Sequence, residues 1–236
     1  MDKYFEHHKW YQIGYKNKDK VYKAHYLSCK KELKNYLNKF IDAKVLEIGS
    51  WMWKFAYFCD KIWVKDYTWI DIDDYFFEGT RKDFPNYKFI KIRFQKYLKE
   101  HKNEFDIIFV SHVFEHLDEK ERIEMVESIY CWLKENGIWI NYMPNADAIF
   151  LVWYWRRCDL THKNIYNESS FFQLISSCNC NFTIENFNKY IWSPSKIRRL
   201  IHLIFLFFTK IYFLGMWFTF PNFYTREFWN ILTKKS

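Results

Sequence analysis

With 236 residues the chain is long enough for one full α/β domain and a modest addition, and nothing in it suggests two independent cores. Its formal charge of +8 permits phosphate-bearing partners, yet the lysines are scattered rather than gathered into one run, so composition does not mark a nucleic-acid binder. Six cysteines show no framework spacing and the start (Met1-Asp2-Lys3-Tyr4-Phe5-Glu6-His7-His8) lacks an apolar core, so neither a disulfide scaffold nor a secretory signal is expected, and a reducing cytoplasm is.

Residues 18–41 carry apolar side chains at helical spacing (Val21, Tyr22, Tyr26, Leu27, Leu33, Tyr36, Leu37, Phe40), which predicts a helix ahead of the sheet and makes residues 1–42 an N-terminal helical segment. From residue 43 to 236 a single domain is expected. Strands predicted at 44–48, 66–71, 87–92, 105–111 and 137–143 alternate with helices near 53–61, 74–81, 94–101 and 118–134. Parallel neighbours need crossover connections, so this alternation predicts a doubly wound, mostly parallel Rossmann-like α/β sheet with helices on both faces. Right-handed crossovers then bring the ends of strands 1, 2 and 4 to one edge, where ligands bind. Beyond Asn145 the pattern changes: an irregular acceptor-side insert at 146–167, a helix at 168–178, a strand at 181–190, an apolar helix at 195–217 and a closing strand at 223–233.

The apolar strand Val45-Leu46-Glu47-Ile48 runs into a loop position where glycines would let the backbone approach a ligand, but only Gly49 stands there. Trp51 and Trp53 place indoles in that space. Trp63 falls between a helix end and the next strand, where a left-handed cap favours glycine, and Trp69 precedes the carboxylate that ends the second strand. The chain has 5 glycines and 12 tryptophans, the reverse of ordinary usage, in a composition otherwise rich in the residues of AT-rich codons. Two readings stand side by side. Trp51, Trp53, Trp63 and Trp69 are glycines in life, encoded by UGA in an organism that reads UGA as glycine; or the protein is authentic and its loop has decayed.

The segments Val45-Leu46-Glu47-Ile48-Gly49-Ser50, Ile70-Asp71-Ile72, Phe105 to Leu117 (with Ser111-His112-Val113-Phe114-Glu115-His116) and Leu133-Lys134-Glu135-Asn136-Gly137 resemble, in order and spacing, the motifs of class I S-adenosylmethionine-dependent methyltransferases. Met143-Pro144-Asn145-Ala146-Asp147 and Asp159-Leu160-Thr161-His162 followed by Tyr166 resemble the subgroup found in bacterial polysaccharide and O-antigen gene clusters. The resemblance spans roughly residues 20 to 234. It implies a seven-stranded methyltransferase sheet, S-adenosyl-L-methionine as cofactor, and a small-molecule or glycan acceptor.

On that resemblance Glu47, Gly49, Ser50, Trp51, Trp53, Asp71, Ile72 and Ser111 line the cofactor site. Glu47 would reach the ammonium of the cofactor, since a carboxylate ending an apolar strand is otherwise costly to bury, and Asp71 would accept the ribose hydroxyls. Arg93 departs from the acidic residue that relatives commonly carry for adenine. His112 serves as base or pocket lining, and Glu115 with His116 as a cap at the next helical turn. His162, with Asp159 to hold its tautomer, is the expected base for a hydroxyl acceptor or else a structural histidine of the insert. No metal is expected. The rival reading is a silent methyltransferase-like scaffold whose pocket is blocked by Trp51 and Trp53. Nucleic acid is not expected, for want of a base-binding motif after strand 4. Lys210 and His202 argue against a spanning helix at 198–217, and a peripheral contact at the inner membrane face stands as an expectation.

Overall fold

The computed structural model describes residues 18–49, 54–72, 74, 77–97, 101–147, 161–187 and 227–235, together with positions 197, 200, 201, 203, 204, 207, 208 and 211. Seven strands form one sheet: β1 (Lys44–Ile48), β2 (Asp66–Asp71), β3 (Lys88–Lys91), β4 (Phe105–Ser111), β5 (Leu133–Pro144), β6 (Phe182–Phe187) and β7 (Glu227–Lys234). Their order is β3-β2-β1-β4-β5-β7-β6. The first five run parallel, while β7 pairs antiparallel with both β5 and β6.

Alternation along each strand divides the core into two layers. On one face Val45, Tyr67, Trp69, Ile107, Phe109 and Trp229 pack against α1 (Lys18–Glu32) and α2 (Lys54–Lys61). On the other, Leu46, Ile48, Ile108, Val110, Trp139 and Phe228 meet α5 (Glu119–Trp132) and α6 (Glu168–Ser177). Two short helices, α3 (Phe77–Asp83) and α4 (Phe94–Tyr97), complete the crossovers around β3. Helix α5 buries Met125, Val126, Ile129 and Trp132, one stripe at helical spacing. Its first turn is closed by a capping box between Asp118 and Glu121, and α6 opens with another between Asn167 and Ser170.

Two of the differences from the expected element boundaries have a visible cause. The helix expected over 18–41 ends at Glu32 and gives way to turns and a short 3-10 segment, Leu37–Phe40. Leu33 and Phe40 remain buried with Tyr22 and Cys29, so the apolar spacing persists although the backbone tightens to i→i+3 bonds such as Tyr36 N–H to Leu33 O, 2.8 Å. The helix expected to 134 stops at Trp132, because Leu133 already pairs with Phe105 in the sheet and the chain turns through Asn136, φ +61°, into Gly137.

Candidate active site

The carboxyl ends of β2, β1 and β4 lie side by side, as crossover handedness requires. Gly49 follows β1 with φ +67°, and its N–H donates to Ile70 O at 3.0 Å. A Cβ there would stand 2.3 Å from Val113 Cγ2 and 3.1 Å from Ser111 O, so this turn demands glycine twice over, for conformation and for space. Asp71 ends the neighbouring strand, and Gly49 and Asp71 therefore share one rim of the sheet.

Beneath that rim is a cleft lined by His25, Glu47, Lys54, Phe55, Phe109, Ser111 and Tyr142. Glu47 shares the face of β1 with Val45, which turns its carboxylate toward the α1 and α2 layer, where it is buried and accepts a hydrogen bond from the Tyr67 hydroxyl. Burial, then the charges of Lys54 and His112, holds His25 well below the ordinary imidazole range, so it is neutral at pH 7. Sequence reasoning missed His25, Lys54 and Tyr142. For His25 a signal existed: it stands three residues after Tyr22 and four before Cys29, both buried, on the inward stripe of α1.

At the end of β4 a cluster of ionisable side chains gathers. Ser111 is buried, and His112 takes a left-handed backbone, φ +53°, which turns its ring edge-on to Tyr142 at 5.2 Å between centroids. His112 Nδ1 lies 3.0 Å from Glu115 Oε1. Burial alone would raise the Glu115 carboxyl; the hydrogen bond and charge of His112, with His116, overcome it and hold the group below its ordinary range. Its second oxygen, Oε2, is buried without a hydrogen-bond partner.

The insert returns to this place. Lys163 N–H and Asn164 N–H both donate to Glu115 O, at 2.7 and 3.1 Å, and the Asn164 amide donates to Leu117 O at 2.8 Å. These bonds set the His162 ring 4.7 Å from that of His116, while His116 Nδ1 lies 2.8 Å from Thr161 Oγ1. Farther along, Tyr166 bridges to Asn145 and its hydroxyl accepts from Arg122 Nη1 at 2.7 Å. His112 and His162, expected as site residues, are thus joined through Glu115 and His116, which had been read as a cap. Asp159, Ser50, Trp51 and Trp53 lie outside the described residues.

The two remaining tryptophans of the glycine-like set part company. Trp63 has φ +65° and is 85% exposed; its N–H donates to Asp60 O and that of Val64 to Cys59 O, the paired bonds of a left-handed helix cap. Trp69 is buried inside β2, edge-on to Phe89.

Residues 45–137 match the family model described as a methyltransferase domain. No curated protein matches the sequence. Among solved structures, a SAM-dependent methyltransferase from Archaeoglobus fulgidus is similar with a TM-score of 0.60 and 20% identity, over 89% of this chain and 94% of that one. An S-adenosylmethionine-dependent methyltransferase from Mesorhizobium loti gives 0.59 and 10%, over 81% and 91%. One from Listeria monocytogenes, assigned to the same class in its description, gives 0.61 and 12%, over 87% and 96%. The fold of this chain is the α/β methyltransferase fold, and the matched domain runs from β1 into the start of β5.

Proposed function

We propose that this protein binds S-adenosyl-L-methionine along the rim from Asp71 through Gly49 to Ser111 and transfers its methyl group to a hydroxyl oxygen of a sugar or lipid-linked saccharide. The observation that carries the reading is the coincidence at one sheet edge of the Gly49 turn, the strand-ending Asp71 and the His112–Glu115 pair, within a domain that matches methyltransferases. Asp71 is the partner for the ribose hydroxyls and Glu47 for the ammonium, with Ile72 at the exposed end of β2 beside them.

When bound, the cofactor supplies an electrophilic methyl carbon on sulfonium. Transfer to a hydroxyl oxygen would leave a neutral thioether and release the hydroxyl proton. The hydroxyl proton must go elsewhere. An imidazole whose Nδ1 faces a carboxylate is held in the tautomer that takes up a proton at Nε2 and is stabilised once charged, and His112 on Glu115 has that arrangement. His162, brought in by the insert, forms the acceptor side of the same site.

A lipid-linked acceptor is supported by Ile197, Leu200, Ile201, Leu203, Ile204, Phe207, Phe208 and Ile211. All are helical, and their exposures run from 49% at Ile204 to 71% at Ile197. Among the described residues no helix is long and apolar enough to cross a membrane, so this surface would lie on the inner face of a bilayer rather than span it.

Titration calorimetry with S-adenosylmethionine tests the cofactor, using the written sequence and a version with glycine at 51, 53 and 63. Binding by the glycine version alone would identify the tryptophans as the block; binding by neither would sink the cofactor assignment. His112→Gln should abolish methylation of saccharide acceptors while leaving cofactor affinity unchanged. Sedimentation with anionic liposomes tests the membrane contact.

A further inference from the structure

We infer that Glu115, His116 and His162 form a binding site for one divalent transition-metal cation on the acceptor side of the cleft. One potential ligand atom from each of the three side chains lies within 4.8 Å of the other two. Donors about 2.0–2.2 Å from a common ion lie roughly 3–4 Å apart, so modest side-chain rotation of the two partly exposed imidazoles would bring the three donors onto one ion.

A buried carboxylate oxygen without a partner points to a ligand, and the hydrogen bonds around it hold the donors in place. Glu115 is only 2% exposed, and its Oε2 has no hydrogen-bond partner, a costly arrangement that a cation would relieve. The surrounding bonds are those that orient metal ligands: His112 on the other carboxylate oxygen and the Thr161 hydroxyl on His116 Nδ1. The two halves of the site are fixed by the backbone, since Lys163 and Asn164 N–H both donate to Glu115 O. Two imidazoles and one carboxylate suit Zn²⁺, Co²⁺, Fe²⁺ or Mn²⁺, whereas Mg²⁺ and Ca²⁺ prefer all-oxygen ligands.

Three protein ligands leave coordination positions for another oxygen. A hydroxyl held there would shed its proton more readily. This use of the ion rests on the methyl-transfer reading; the binding does not.

The test uses tag-free full-length protein stripped with chelator and titrated with Co²⁺ and Zn²⁺. One equivalent of Co²⁺ with visible d–d absorption is expected, displaced by Zn²⁺. His116→Asn/His162→Asn should weaken binding at least about tenfold, and Thr161→Val by about tenfold through lost ligand orientation, with unchanged circular dichroism and melting. Absence of stoichiometric Co²⁺, or equal binding by the double variant, would overturn the site. Calorimetry with S-adenosylmethionine on the same samples separates the two readings: cofactor bound without cobalt removes the metal alone, and cobalt bound without cofactor removes the methyl donor alone.

Discussion

A methyl group on Gly49 would stand 2.3 Å from Cγ2 of Val113, which makes the loop after β1 and the loop after β4 a single packed unit. The Gly49 turn thus packs against Ser111 and Val113, the residues on either side of His112. Gly49→Ala must accept both a left-handed backbone and that clash. It should cost about 1–3 kcal/mol in urea unfolding and lower S-adenosylmethionine affinity in a cofactor-binding version of the protein. Adding Val113→Ala should recover part of the loss by removing the clash while leaving the backbone cost.

Trp63 and Trp69 should respond in opposite directions to glycine. Trp63→Gly relieves a left-handed residue at a helix cap and removes an exposed indole, so a gain of about 1 kcal/mol is expected, read as a higher urea midpoint at unchanged m-value. Trp69→Gly empties a fully buried site in β2 and should cost about 3 kcal/mol or more.

Glu47→Gln keeps the shape of a buried side chain and removes its charge. Cofactor affinity should fall about tenfold or more, as for loss of a charged hydrogen bond, while Tyr67→Phe should cost stability with a smaller effect on binding. Equal affinities for Glu47→Gln and the parent would remove Glu47 from the ammonium site.

The depressed pKa of His25 gives a pH signature. Well above pH 6.5 the imidazole is neutral in both folded and unfolded chains and contributes no slope. Below that value the unfolded chain takes up a proton that the folded chain resists, so stability should fall by up to about 1.4 kcal/mol per pH unit until the lowered folded pKa is reached. His25→Gln should flatten this part of the profile by one proton, measured as the difference in unfolding free energy between pH 6.5 and 5.

The strand positions were legible in the residues because burial on both faces makes continuous apolar runs such as Ile107 to Val110, and crossover handedness then fixes which ends meet. Gly49 and Trp63 were legible for a related reason: a positive φ leaves a local demand that sequence punctuation reveals. Even the end of α2 followed from that demand alone.

Other features depend on contacts between distant segments. Periodicity carried the first helix to residue 41 because Leu33 and Phe40 are buried, yet burial does not distinguish an α-helix from turns that reach the same core. Glu115 and His116 read as a cap until the insert folded back and its backbone N–H groups closed on Glu115 O. Local propensity thus determined the strands and the glycine turn, which each residue's own conformation enforces. Only tertiary packing brought His162 to His116 and set His25 beneath the rim, because those neighbours are chosen by the path of the chain through space.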